Sequence, residues 1–301
     1  MSTRIHRLLA RAIHASVVVD RAARRFDQAR YALVTRLASH AVLDAFNDLA
    51  YERTPVYRAG APEFREALFN WEIEAIARAF PDPPGRVLVG GAGGGREAFA
   101  LVSRGYQVVA FEPSAALARS LADHALPGAT VEAVVGRYED LPWLTNQTNR
   151  ARVDMRQQPP FDAALFGWTS FSHLRTRDAR VAALRNVAGL TNGPVLAGFY
   201  TGRPRPTPPA GIFPSVAQAL GLRFTGDLFT PYVGFYHLST PDELVGEVRD
   251  AGLDTLHASF DELDGRWPYL IVQPALRPDQ KPLTSSRQPA MVSRSGESAR
   301  T

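Results

Sequence analysis

Five glycines fill six positions in VLVGGAGGGREAFAL, residues 87–101, directly after a branched apolar run. Glycine costs conformational entropy, so this density marks a place where the backbone turns tightly or lies against a ligand. QVVAFEP, residues 107–113, then puts Glu112 at the end of a second apolar run. A carboxylate there can accept hydrogen bonds from both hydroxyls of a ribose, so the pair of features suits a nucleotide-like cofactor. Gly93, Gly95 and Ala98 satisfy the alanine variant of the dinucleotide pattern, but the register starting at Gly91 meets Arg96 at its third position. The fit to NAD is therefore partial. Two histidines, His173 in SFSHL and His237 in VGFYHLS, are the candidate bases.

The elements around these residues alternate between strand and helix. RVLVG, QVVAFEP, TVEAVVG, FDAALFGW (161–168) and GPVLAGFYT (193–201) read as strands, with EAFALVSRG, SAALARSLADHA and RDARVAALRNVAGL as helices between them. PDELVGEVRDAGL (241–253) is a helix, followed by two closing strands in TLHASFDEL and WPYLIVQP. Upstream, residues 3–49 carry apolar side chains at helical spacing (Leu8, Leu9, Ile13, Val17, then Leu33, Leu37, Val42, Leu43, Phe46), and residues 63–80 read as a second amphipathic helix. The alternation predicts an α/β protein with a doubly wound, mostly parallel sheet.

Composition narrows the chemistry. The 301 residues contain no cysteine, which removes disulfides, thiolate metal sites and cysteine nucleophiles. The net charge of +4 resides at the ends: ten Arg against five acidic residues in 1–60, five basic against two acidic in 276–301. The middle is net negative, so no nucleic-acid partner is expected. The longest apolar runs are too short for a membrane span, and no secretory cleavage site is legible, so the expectation is a cytoplasmic protein. No metal site is expected, and the oligomeric state stays open, a homodimer included.

Taken in order, VLVGGAGGG, VVAFEPS, VVGRYEDLP and FDAALFGWTSFSHL resemble the class I S-adenosylmethionine-dependent methyltransferases. The resemblance covers residues 85–200 well and extends weakly to about 275. It implies a seven-stranded sheet of methyltransferase type over residues 83–274, with an insertion at about 203–239. Residues 1–82 would form an N-terminal helical extension or lid, and 275–301 a disordered tail. It further implies that Gly91, Ala92, Gly93 and Gly95 pass under the methionine part of S-adenosylmethionine, with Glu112 and Pro113 at the ribose. Tyr138, Glu139 and Asp140 would lie on the adenine side, and Gly167 at the end of the fourth strand. Val89 and Arg137 stand where the family commonly has acidic residues.

Within that family the sequence disfavours several branches. Pyrimidine C5 methylation and radical chemistry need cysteine, Lys281 is the only lysine and lies in the tail, and FGWT does not resemble the motif of amino-group methylation on adenine or glutamine. A small-molecule acceptor remains, held by an aromatic wall of Tyr57, Trp71, Trp168, Tyr200, Tyr232 and Tyr236 together with His237, with Phe199 nearby and His173 as base. The alternatives are a catalytically inactive cofactor-binding relative and an NAD-dependent oxidoreductase.

Overall fold

A computed structural model describes residues 14–20, 22, 23, 26, 30, 34, 37–124, 131–147, 149–202, 227–230, 233–260 and 267–275. The proposed tail beyond 275, Tyr232, residues 203–226 of the insertion and the N-terminal Leu8, Leu9, Ile13 and Leu33 lie outside them.

The fold is an α/β structure built on the glycine-bearing strand. β1 (Arg86–Gly90) lies in the middle of a sheet, parallel to β2 (Gln107–Glu112) on one side and β6 (Ala163–Phe166) on the other. β3 (Val131–Val135) extends the parallel set beyond β2, and β7 (Val195–Gly198) extends it beyond β6. These strands are short branched runs because helices cover both their faces. Leu88, Val109 and Phe111 point into one apolar layer, Val87, Val89 and Val108 into the other. The first layer holds α5 (Arg177–Ala188) and α6 (Pro241–Asp250), the second α2 (Asn70–Ala79), α3 (Arg96–Val102) and residues of α4 (Ala115–His124). Thr176 and Thr240 cap α5 and α6, and Glu243 returns a carboxylate oxygen to the Thr240 N–H at 2.8 Å.

The sheet is larger and more mixed than the expected seven strands. Among the described residues it has nine, in the order β11-β12-β7-β6-β1-β2-β3-β4-β5. β12 (Tyr269–Pro274) joins β7 antiparallel, and β11 (Leu253–Ser259) joins β12 antiparallel. The two unforeseen strands are β4 (Trp143–Asn146) and β5 (Arg152–Asp154), an antiparallel pair added to the β3 edge. A second, three-stranded sheet contains β8 (Tyr200–Thr201), β10 (Gly234–Ser239) and β9 (Asp227–Thr230), with β10 in the middle.

Two helical expectations change. The helix read over 63–80 begins only at Asn70, because the polar groups before it are taken elsewhere: the Phe69 N–H donates to Glu72 at 2.7 Å, and the Ala67 carbonyl accepts from Arg96 at 2.6 Å. The long N-terminal helix is interrupted at Ala38–Ser39, and α1 (His40–Arg53) runs four residues past Leu49. That extension brings Tyr51 and Glu52 onto a helix. No helix among the described residues is long and apolar enough to cross a membrane.

Candidate functional site

The glycine turn joins the carboxyl end of β1 to α3, and its glycines have separate reasons. Gly91, Gly93 and Gly95 have φ of 62°, 56° and 95°, a region that strains any residue with a Cβ. A Cβ on Gly94 would lie 2.3 Å from the Tyr57 carbonyl oxygen and 2.5 Å from the Ala59 nitrogen, so residues 57–59 rest directly on the turn. Gly93 is the open one: a Cβ there would meet only the Tyr57 oxygen, at 3.9 Å. Ala92 is buried and donates its N–H to the Phe111 carbonyl at 3.1 Å.

Glu112 reaches this turn from β2. Its Oε2 accepts the Gly93 N–H at 2.8 Å, and its Oε1 accepts the Ser114 N–H at 3.0 Å across Pro113. A carboxylate has about four acceptor positions, so two remain unused on a side chain only 8 % exposed. Burial, outweighing both hydrogen bonds, pushes its pKa up to about 7. A ligand offering two hydroxyl donors fits this acceptor.

On the far side of the turn lies the end of β6. Gly167 is locked there by sterics, since its Cβ would fall 2.4 Å from the Gly91 oxygen, and its N–H donates to Gly90 at 2.7 Å. Thr169 follows at φ 59°, an outlier for a β-branched residue. Strain of this kind is held in place only by its surroundings and gathers at functional sites.

A run of rings connects this point to the second sheet. Phe69 meets Trp168 at 5.0 Å between centroids, Trp168 meets Trp267 at 5.5 Å, Trp267 meets Tyr200 at 5.4 Å, and Tyr200 meets Tyr236 at 4.9 Å. Tyr57 packs on Tyr51 at 4.7 Å. Burial raises the phenol pKa of Tyr51, Tyr57, Tyr200 and Tyr236 alike. Of the expected wall residues, Trp168, Tyr200 and Tyr236 stand in this run together with Phe69 and Trp267, and Tyr57 stands with Tyr51.

Other expected wall residues go elsewhere. Trp71 is 4 % exposed and stacks on Tyr269 within the core, filling the space above Gly198. Phe199 is buried against Phe260. His237 is the strand neighbour of Tyr236 and points to the opposite face, where its Nδ1 pairs with Asp227 at 2.7 Å.

His173 is not free to meet a ligand directly. Its Nδ1 faces the Phe235 carbonyl at 2.5 Å, and a carbonyl only accepts, so Nδ1 carries the hydrogen. The Nε2 lone pair then accepts the Tyr51 hydroxyl at 2.5 Å. Burial holds this imidazole neutral, with its pKa lowered to about 4.

Around the proposed adenine side, Tyr138 is stacked on Phe166 at 4.6 Å and meets Phe111 edge-on, its hydroxyl 2.7 Å from Ser170 Oγ. Its faces are occupied by the core. Glu139 and Asp140 are exposed, and Asp140 Oδ2 accepts the Arg137 N–H at 2.7 Å. Arg137, an unexpected residue for its position, reaches Asp48 on α1 at 2.5 Å, and Arg175 grips Asp44 through two bonds of 2.6 and 2.8 Å. Glu52 accepts from Ser114 Oγ at 2.6 Å. Asp44, Asp48 and Glu52 recur every four residues, so one acidic face of α1 spans the loops after β2, β3 and β6.

No protein-family model matches the chain, and no curated protein matches it by sequence. Solved structures do match. A SAM-dependent methyltransferase from Methanosarcina mazei is 16 % identical, with a TM-score of 0.51 over 67 % of this chain and 98 % of that one. A protein from Pyrococcus horikoshii is 16 % identical, with a TM-score of 0.52 over 75 % of this chain and 98 % of that one. The chain shares the fold of these two proteins. In that frame the glycine turn, Glu112 and the end of β6 stand together at the carboxyl edge of the parallel strands, the edge where ligands of open α/β sheets bind.

Proposed function

We propose that this protein is an S-adenosylmethionine-dependent methyltransferase acting on a small-molecule acceptor. The observation that carries the reading is Glu112, a buried carboxylate at the end of β2 that touches the glycine turn and keeps two acceptor positions unused. In this reading Glu112 holds the ribose, Gly91, Ala92, Gly93, Gly95 and Gly167 make room for the methionine part, and Glu139 or Asp140 lies toward the adenine. When bound, the cofactor supplies a methyl group on a sulfonium, which transfers by in-line displacement.

The protein's own share is alignment, exclusion of water and removal of a proton. Tyr57, Trp168, Tyr200 and Tyr236 give the acceptor flat apolar faces, with the three tyrosine hydroxyls at their rims. α1 acts as the lid, held by Arg137 and Arg175. Proton removal runs through Tyr51: once methyl transfer makes the acceptor strongly acidic, the Tyr51 oxygen takes its proton as its own hydrogen passes to His173 Nε2, a base weakened by burial. Nδ1 stays fixed on the Phe235 carbonyl throughout.

Calorimetric titration of the full chain with S-adenosylhomocysteine and, separately, NAD tests the reading. The expected result is binding of the first alone, weakened about tenfold or more in Glu112→Ala by loss of a charged hydrogen-bond acceptor. Binding of NAD instead, or unchanged affinity in the variant, would overturn it.

A further inference from the structure

A cofactor with an amino-acid end presents an ammonium as well as a ribose, and that charge needs an acceptor on the β6 side of the turn. β1 offers none, since its last side chain before the glycines, Val89, is apolar and fully buried. An acid tied to that side is Glu97, in the first turn of α3, which holds the Trp168 N–H just after β6. Its Oε1 accepts the Trp168 N–H and an Arg96 N–H, each at 2.7 Å, and these are its hydrogen bonds among the described residues. Oε2 therefore has no partner. The Glu97 side chain is 4 % exposed, and the indole nitrogens of Trp168 and Trp267 are buried and unpartnered.

The charge balance points the same way. Arg96 is turned away from the glycine turn, bound to Glu72 at 2.6 and 2.9 Å and to the Ala67 carbonyl, with its guanidinium over the Phe69 ring. Two carboxylates, Glu72 and Glu97, thus share one arginine in a site where their side chains are 0 and 4 % exposed. A buried cluster of two carboxylates on one arginine is costly unless a proton on Glu72 or a further cation completes it, and at pH 8, above the Glu72 pKa of about 7, the place is open to a cation. Trp168 ties this cluster to the ligand edge, because the residue before it, Gly167, rests on Gly91.

Resting on the cofactor reading above, we infer that Glu97 receives the α-ammonium of S-adenosylmethionine, its Oε2 accepting the hydrogen bond that the first strand cannot offer. Glu112 and Glu97 then bracket the glycine turn, one for each polar end of the ligand.

The test compares two ligands that share nucleoside and thioether. S-adenosylhomocysteine has the amino-acid tail, and 5′-methylthioadenosine lacks it. Calorimetry on the full chain at pH 8 should show that Glu97→Gln, which retains an acceptor for the Trp168 N–H, loses tenfold or more in affinity for the first and less than twofold for the second. Glu97→Asp, which retains the charge on a shorter stem, should recover part of the loss. An equal loss for both ligands would mean that Glu97 only supports the turn, and no loss for S-adenosylhomocysteine would mean that the ammonium binds elsewhere. Either result overturns the inference while leaving the cofactor reading intact. Wild-type protein that binds neither ligand refutes both.

Discussion

Replacing Glu112 by Gln should alter how stability depends on pH, and the sign follows from its surroundings. The carboxyl pKa is raised from 4.5 to about 7 in the folded protein. Between these values the folded state holds a proton that the unfolded state has lost, so the group's stabilising contribution is full below 4.5 and fades as pH rises through 7. At 1.36 kcal/mol per pKa unit the gap corresponds to about 3 kcal/mol as an upper bound. At roughly 2 °C per kcal/mol for a chain of this size, that is about 6 °C in Tm. Glu72, also raised to about 7 by burial, contributes in the same window and is unaffected by the substitution. Thermal melts of the ligand-free wild type should therefore fall from pH 5 to pH 8, and those of Glu112→Gln should fall by several degrees less. Loss of one acceptor to Gly93 or Ser114 lowers the whole variant curve by about 1 kcal/mol without changing its slope. Parallel curves would refute the argument that Glu112 is a buried acceptor short of partners.

Other substitutions separate chemistry from support. Tyr51→Phe should lower kcat about 100-fold with S-adenosylhomocysteine affinity changed less than twofold, because it cuts the path to His173 and touches no cofactor acceptor; an unchanged kcat in steady-state assay would remove the relay. Trp71→Ala should cost about 3–5 kcal/mol in denaturant unfolding, the penalty for emptying a core site, with no specific kinetic defect in the fraction that remains folded. Gly94→Ala should release residues 57–59 from the turn, read as faster hydrogen exchange there, since the new Cβ would collide with backbone atoms rather than a flexible side chain.

The sequence carried the centre of the sheet because its signals there are local. β1 coincides with RVLVG, and Glu112 ends β2 as read, each a branched run stopped by a turn. The β4–β5 pair was illegible: WLTN and RVD are too short to show alternation, and only pairing to the β3 edge makes them strands. Tyr51 was missed because the helical spacing was followed only to residue 49, whereas α1 continues to Arg53 before Pro55. Arg137 looked out of place because its partner Asp48 is 89 residues away. Glu97 was passed over as ordinary helix content, since nothing local reveals that its carboxylate would meet the Trp168 N–H. His237 and Tyr236, placed on one wall from sequence, are adjacent on a strand and so face opposite ways.

The most direct test of the account is a crystal structure of the full chain with S-adenosylhomocysteine. The account predicts both ribose hydroxyls within hydrogen-bond distance of Glu112, the thioether over Gly91–Gly93, and the sulfur facing the space between Trp168, Tyr57 and Tyr200. A ligand bound away from the glycine turn, or a ribose held by any residue other than Glu112, would contradict it.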